Sequence, residues 1–203
     1  MTILDWAVAS GKRPGQERSG DTHAVVQASD GAVLLAAVDG LGHGDEAAAA
    51  AERATETLQC FPGESVISLA RRCHRALQGT RGAVMTLVRI SPHDETLTWL
   101  GVGNVEALLL RQGEGPAPVR ESVLMRGGVV GYQLPPLGAT VHALNRGDWI
   151  VLATDGIRPE FRDGPIADGD PQRLADRILA TYRRPDDDAL VLVARYRGVD
   201  QRG

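Results

Sequence analysis

Leu4, Trp6 and Val8 fall at every second position, the period of a strand with one buried face. A polar stretch over 11–18 leads to a second strand predicted over 23–28. Asp30-Gly31 then carries a two-residue hairpin signal, because glycine accepts positive φ without strain. The apolar run over 32–38 returns as a strand buried on both faces. After residue 44 the period changes. Residues 45–60, rich in Ala and Glu, favour helix by propensity. Val66, Leu69, Ala70, Cys73 and Leu77 then form one stripe of a second helix over 64–78.

The second half goes back to strands, predicted over 83–90, 96–102 and 105–111, the first two joined at Ser91-Pro92-His93-Asp94. Shorter strands over 122–125 and 140–144 flank a Gly/Pro-rich insert that includes Gly127-Gly128 and Leu134-Pro135-Pro136. Arg146-Gly147-Asp148 turns the chain into a strand over 149–153, and a helix over 171–183 and a strand over 189–196 follow. Strands in hairpin series, two central helices and one late helix predict an α/β (α+β) fold, an αββα sandwich of two antiparallel sheets flanked by helices. No repeat, linker or low-complexity tract interrupts the chain, so residues 1–197 are expected to form one domain, with 198–203 a loose tail.

Composition narrows the classes of function. A net charge of −4 with no basic block argues against nucleic acid as the main partner, since phosphates in series need cations in series. No apolar run approaches the roughly 18 residues of a spanning helix, and no basic segment followed by an apolar core opens the chain. A cytoplasmic protein with no membrane anchor is expected, as a monomer or weak dimer. Cys60 and Cys73 fall in predicted helices with no ligand spacing, and free thiols are expected.

Five aspartates change the picture. Asp39 and Asp155 each close an apolar run, Asp187 and Asp188 open one, and Asp21 precedes the second strand. Carboxylates gathered at strand mouths repel one another and lose hydration unless cations neutralise them, which points to hard divalent ions. Singly, each has a plainer alternative: Asp155-Gly156 as a turn, 186–188 as a solvated acidic turn, Asp21 as a loop residue. Their joint occurrence at strand ends favours the metal. Gly40, Gly42 and Gly44 also look like a phosphate-cradling loop. The spacing is not Gly-x-Gly-x-x-Gly, however, no lysine follows, and Asp39 would repel an incoming phosphate. Glycines there instead let backbone approach an ion, with the Gly40 carbonyl available as a ligand.

Asp39-Gly40-x-Gly-His-Gly, Thr154-Asp155-Gly156 and the terminal Asp-Asp before an apolar strand resemble the metal-dependent type-2C (PPM) Ser/Thr protein phosphatases. The Gly-x-Gly-His-Gly variant, the length and the 127–138 insert are similar to the bacterial SpoIIE/RsbU/RsbX branch. The resemblance implies two Mn2+ or Mg2+ ions. Asp39 would bridge them, the Gly40 carbonyl would complete one, Asp155 and Asp187 would hold the first, and Asp21 would help hold the second. Such ions activate water for in-line attack on phosphorus, with no phospho-enzyme intermediate. Asp187 takes the ligand position over Asp186 because the family's aspartate stands one residue before an Asn or Asp, a place filled here by Asp188.

The pattern also departs from the family. Many members carry an acid histidine directly after Asp-Gly; that place is Leu41, and His43, two residues on, is either the general acid or a loop residue. Gly101-x-Gly103-Asn104 resembles the family's central Gly-Asp turn with Asn for Asp. Arg13 and Arg18 match the family's phosphate-gripping arginine by position only. The short span between Asp155 and the last helix leaves no room for the flap of larger relatives or a third metal built on it. The implied function is hydrolysis of phosphoserine or phosphothreonine on STAS-domain stressosome proteins, resetting a stress response. Two alternatives stay open: a phosphatase of an anti-anti-sigma factor in another partner-switching pathway, and a non-catalytic binding module on the same fold.

Overall fold

The computed structural model describes residues 3–111, 119–164 and 169–198. One sheet contains β1 (Leu4–Gly11), β6 (Glu106–Arg111), β7 (Val119–Ser122), β10 (Trp149–Ala153) and β11 (Ala189–Tyr196), in the order β1-β11-β10-β6-β7. The other contains β2 (Asp21–Gln27), β3 (Val33–Gly40), β4 (Ala83–Ser91), β5 (Thr96–Val102) and β8 (Met125–Arg126) in that order, with β9 (Thr140–Ala143) also paired to β5. Helices α1 (Asp45–Cys60) and α2 (Val66–Ala76) pack on the second sheet, and α3 (Pro171–Tyr182) packs on the first. The expected αββα sandwich is thus present.

Burial on both faces explains why the central strands carry almost no polar residue. Along β3, Leu35 and Ala37 point between the sheets while Leu34, Ala36 and Val38 point at the helices. The α2 stripe of Val66, Leu69, Ala70, Cys73 and Leu77 is buried throughout, and the Ser65 hydroxyl caps the helix by accepting from Ser68 N–H at 3.2 Å. Cys60 is exposed, Cys73 is buried, and both are free. Among the described residues no helix is long and apolar enough to cross a membrane.

Three local expectations change. The strand predicted over 122–125 is the point where the chain leaves one sheet for the other: β7 pairs with β6, whereas β8 runs parallel to β5. Val123 is buried between the sheets, its N–H donating to Ala107 O at 2.9 Å. The Asp30-Gly31 turn is a longer loop, because β2 ends at Gln27 and β3 begins at Val33; Asp30 Oδ1 accepts from Ala32 N–H within it. A 3-10 turn over Pro159–Asp163, unforeseen in the sequence, buries Phe161. Of the tail expected over 198–203, residues 199–203 lie outside the described residues.

Candidate active site

The sheet ladders gather the acidic residues at one end of the sandwich. Asp21 and Asp39 are direct antiparallel partners, so β2 and β3 run further than their apolar residues suggest. Asp155 leaves β10 and Asp187 enters β11, two neighbouring strands of the other sheet. Gly156 makes that juxtaposition feasible: a Cβ there would stand 1.7 Å from Asp188 O, so only glycine lets the two segments touch. Asp21, Asp39, Asp155 and Asp187 line one open cleft of about 530 Å3, with Asn104 and Val129 among its other walls.

The cluster cannot hold its full negative charge by itself. Burial pushes the Asp39 carboxyl up to about 9, and Asp21, Asp155, Asp187 and Asp188 add to the effect. Burial likewise raises Asp21 to about 7, against a hydrogen bond from Thr154 and with repulsion from Asp188, Asp155 and Asp187. Asp155 is raised by lost hydration and by Asp187, opposed by Asn104 and Arg184. Cations would relieve all of these penalties.

The donor chemistry fits such ions. Every polar side chain of the cleft offers oxygen, Asn104 through its amide Oδ1, and oxygen donors suit Mg2+ and Mn2+ rather than softer metals. Among the described residues no three acidic, His or Cys side chains stand as a ready-made cage. Two of the carboxylates are turned to protein donors. Asp21 Oδ2 accepts from Thr154 Oγ1 at 2.6 Å, and Asp155 Oδ2 accepts from Asn104 Nδ2 at 2.7 Å.

Other expected residues are placed less centrally. Gly40 is buried where α1 crosses β3, beside the cleft but not lining it. His43 is exposed and is not among the cleft-lining residues; it stands between Gly42 and Gly44, both at positive φ. Arg18 pairs with Glu52 at 2.6 Å and Asp45 at 3.7 Å on α1, and Arg13 touches the region through its backbone. Asp186 is exposed. Asp188 is buried and does not line the cleft, with Oδ1 accepting from Arg13 N–H and Oδ2 from Gly20 N–H, both at 2.8 Å. It therefore anchors the loop that leads to Asp21.

Two contributors escaped the sequence reading of single residues. Thr154 supports Asp21, and its place in Thr154-Asp155-Gly156 was the available signal. Asn104 stood in the Gly101-x-Gly103-Asn104 turn but gave no sign of reaching Asp155, 51 residues away.

Comparison with known proteins agrees with the fold. Residues 29–197 match the family model of Stage II sporulation protein E (SpoIIE). Phosphoserine phosphatase RsbX of Bacillus subtilis (strain 168) is 25% identical over 183 residues, covering 89% of each chain. A solved structure reported for the bacterial stressosome, described as a modular system adapted to control secondary messenger signalling, superposes with a TM-score of 0.85 at 31% identity. It covers 95% of this chain and 99% of its own. RsbX in complex with magnesium shares the fold with a TM-score of 0.83 at 22% identity, covering 95% of both chains. The chain belongs to the SpoIIE family of PPM-type protein phosphatases.

Proposed function

We propose that this chain removes phosphate from phosphoserine or phosphothreonine on STAS-domain proteins of a stressosome, resetting a stress response, and does so with two Mn2+ or Mg2+ ions. The observation that carries the proposal is the meeting of Asp21, Asp39, Asp155 and Asp187, from both sheets, in one open cleft. The similarity to a phosphoserine phosphatase and to a stressosome protein supports the substrate class. The free thiols fit a cytoplasmic setting, and residues 1–197 are taken as one phosphatase domain.

Asp21, Asp39, Asp155 and Asp187, together with the Gly40 carbonyl, would hold the ions. When bound, they would supply neutralisation of phosphoryl charge and a water acidic enough to react near neutral pH. The rest of the work falls to the chain. Thr154 and Asn104 orient Asp21 and Asp155, while Asp188 fixes the loop over 13–20. The exposure of His43 supports a loop role over proton donation.

The experiment is incubation with Mn2+ or Mg2+ and phosphorylated STAS-domain protein, following phosphate loss by intact mass. Loss of phosphate is expected. Retention on STAS proteins alongside turnover of an anti-anti-sigma phosphoprotein would move the substrate to another partner-switching pathway. Metal-dependent turnover of neither these nor p-nitrophenyl phosphate would overturn the phosphatase assignment.

A further inference from the structure

Two loops at the rim of the cleft share one backbone ladder. Ala83 N–H donates to Val130 O at 3.0 Å and Val130 N–H returns to Ala83 O at 2.8 Å. Val129 and Gln133 exchange a second pair, both at 2.8 Å, closing a tight turn over 129–133. That turn is held from beneath. Val130 is fully buried, and Gly131 N–H donates to His74 Nδ1 of α2 at 3.0 Å. Gly82 lies so close that a Cβ would stand 2.7 Å from Val129 Cγ1. Val129 lines the cleft, and at the tip of the same turn Tyr132 is 83% exposed. A large aromatic ring is thus presented to solvent on backbone with little freedom, on the turn whose Val129 lines the cleft, where it contributes almost nothing to the core.

The other loop supplies a cation. The Arg81 guanidinium lies over cleft-lining Gly42, with Nη1 2.7 Å from where a Cβ would stand, and it pairs with Glu46 on the first turn of α1. Both members of that pair are at least half exposed, so solvent screens it and the arginine is easily released. Tyr and Arg are the side chains that most often anchor protein interfaces, and a preorganised ring loses little entropy on burial.

We propose that Tyr132 and Arg81 are docking residues that set specificity for the phosphoprotein substrate. Tyr132 packs on the partner's surface beside the phosphorylated residue, and Arg81 exchanges Glu46 for an acidic group of that partner. The occupant follows from continuity: Val129 of the Tyr132 turn and Gly42 beneath Arg81 are walls of the cleft that takes the phosphoryl group, so a protein whose phosphate enters it must lie across both. Charge agrees, since a cation at the rim offsets the repulsion between the acidic cleft and an anionic substrate. The inference rests on the phosphatase function proposed above.

The test measures Tyr132→Ala, Tyr132→Phe, Arg81→Ala and Glu46→Ala. KM and kcat are taken on a phosphorylated STAS-domain protein, turnover on p-nitrophenyl phosphate, and the phosphoprotein's Kd by interferometry in an Asp39→Asn background. Tyr132→Ala should raise KM and Kd about 10-fold or more, leaving kcat and aryl-phosphate turnover in place, and Tyr132→Phe should restore binding. Arg81→Ala should weaken phosphoprotein binding while Glu46→Ala does not. An unchanged Kd in Tyr132→Ala, or no binding by the parent protein, overturns the proposal. Equal losses of aryl-phosphate turnover in Arg81→Ala and Glu46→Ala would reduce Arg81 to a brace for the glycine loop. Were no substrate turned over at all, the phosphatase assignment would fail on that ground, while the Kd comparison still decides the docking.

Discussion

The Thr154 hydroxyl donates to Asp21 Oδ2 at 2.6 Å and accepts the Leu190 N–H at 2.8 Å, so one buried side chain ties the two sheets together at the cleft. Asp21 enters from β2 of one sheet, whereas Thr154 follows β10 and Leu190 lies in β11 of the other. A hydroxyl has one proton to give and lone pairs to receive, and both capacities are used here. It also opposes the burial that pushes the Asp21 carboxyl up.

Thr154→Val keeps the shape and removes both bonds. It should cost about 1–3 kcal/mol in urea unfolding, since a buried carboxyl and a buried amide lose a partner. Thr154→Ser should recover most of that loss. A valine variant as stable as the parent would show that the bridge contributes nothing.

Asp187 and Asp188 should separate cleanly despite being adjacent. Asp188→Ala leaves the Arg13 and Gly20 N–H groups without their acceptor and should destabilise the chain by about 1–3 kcal/mol, loosening the loop before Asp21. Asp187→Ala should leave the unfolding midpoint near that of the parent and abolish metal-dependent turnover. The reverse pattern would reassign the metal ligand to Asp188.

Asp39→Asn should abolish Mn2+-dependent turnover while the fold persists; retained turnover would exclude Asp39 as the bridging ligand. Its effect on stability depends on pH. The carboxyl ionises near its ordinary 3.8 when unfolded but holds its proton to about 9 when folded. Between those values the folded chain binds the extra proton, so the stabilisation is complete below 3.8 and drains away as pH rises towards 9. Unfolding with EDTA should therefore show the asparagine variant gaining on the parent as pH increases. A constant difference across that range would count against a raised Asp39 carboxyl.

His43→Ala distinguishes an acid from a loop residue. A proton donor to the leaving alkoxide would make an alkyl phosphoserine substrate slower by about 10²–10⁴-fold and spare p-nitrophenyl phosphate. The exposed position of His43 leads us to expect little change on either substrate. A selective loss on phosphoserine would restore it as the acid.

Sequence by itself determined the layered fold, because periodicity is a local record of burial. Runs such as Ala189–Tyr196 and Trp149–Ala153 are apolar at nearly every position because sheet and helices cover both faces, and their bounds were legible to the residue. It also placed Asp39, Asp155 and Asp187 at strand ends, where carboxylates have no stabilising reason to be. Only the tertiary structure decided the partners. Asp21 reads as a loop residue until its register with Asp39 makes it the first residue of β2. Asp188 is indistinguishable from Asp187 until the chain closes and two N–H groups from residues 13 and 20 meet it. The predicted strand over 122–125 turned out to be a crossing between sheets, and Asn104 proved to hold Asp155 across 51 residues. Such relationships depend on contacts between distant segments, and no local spacing encodes them.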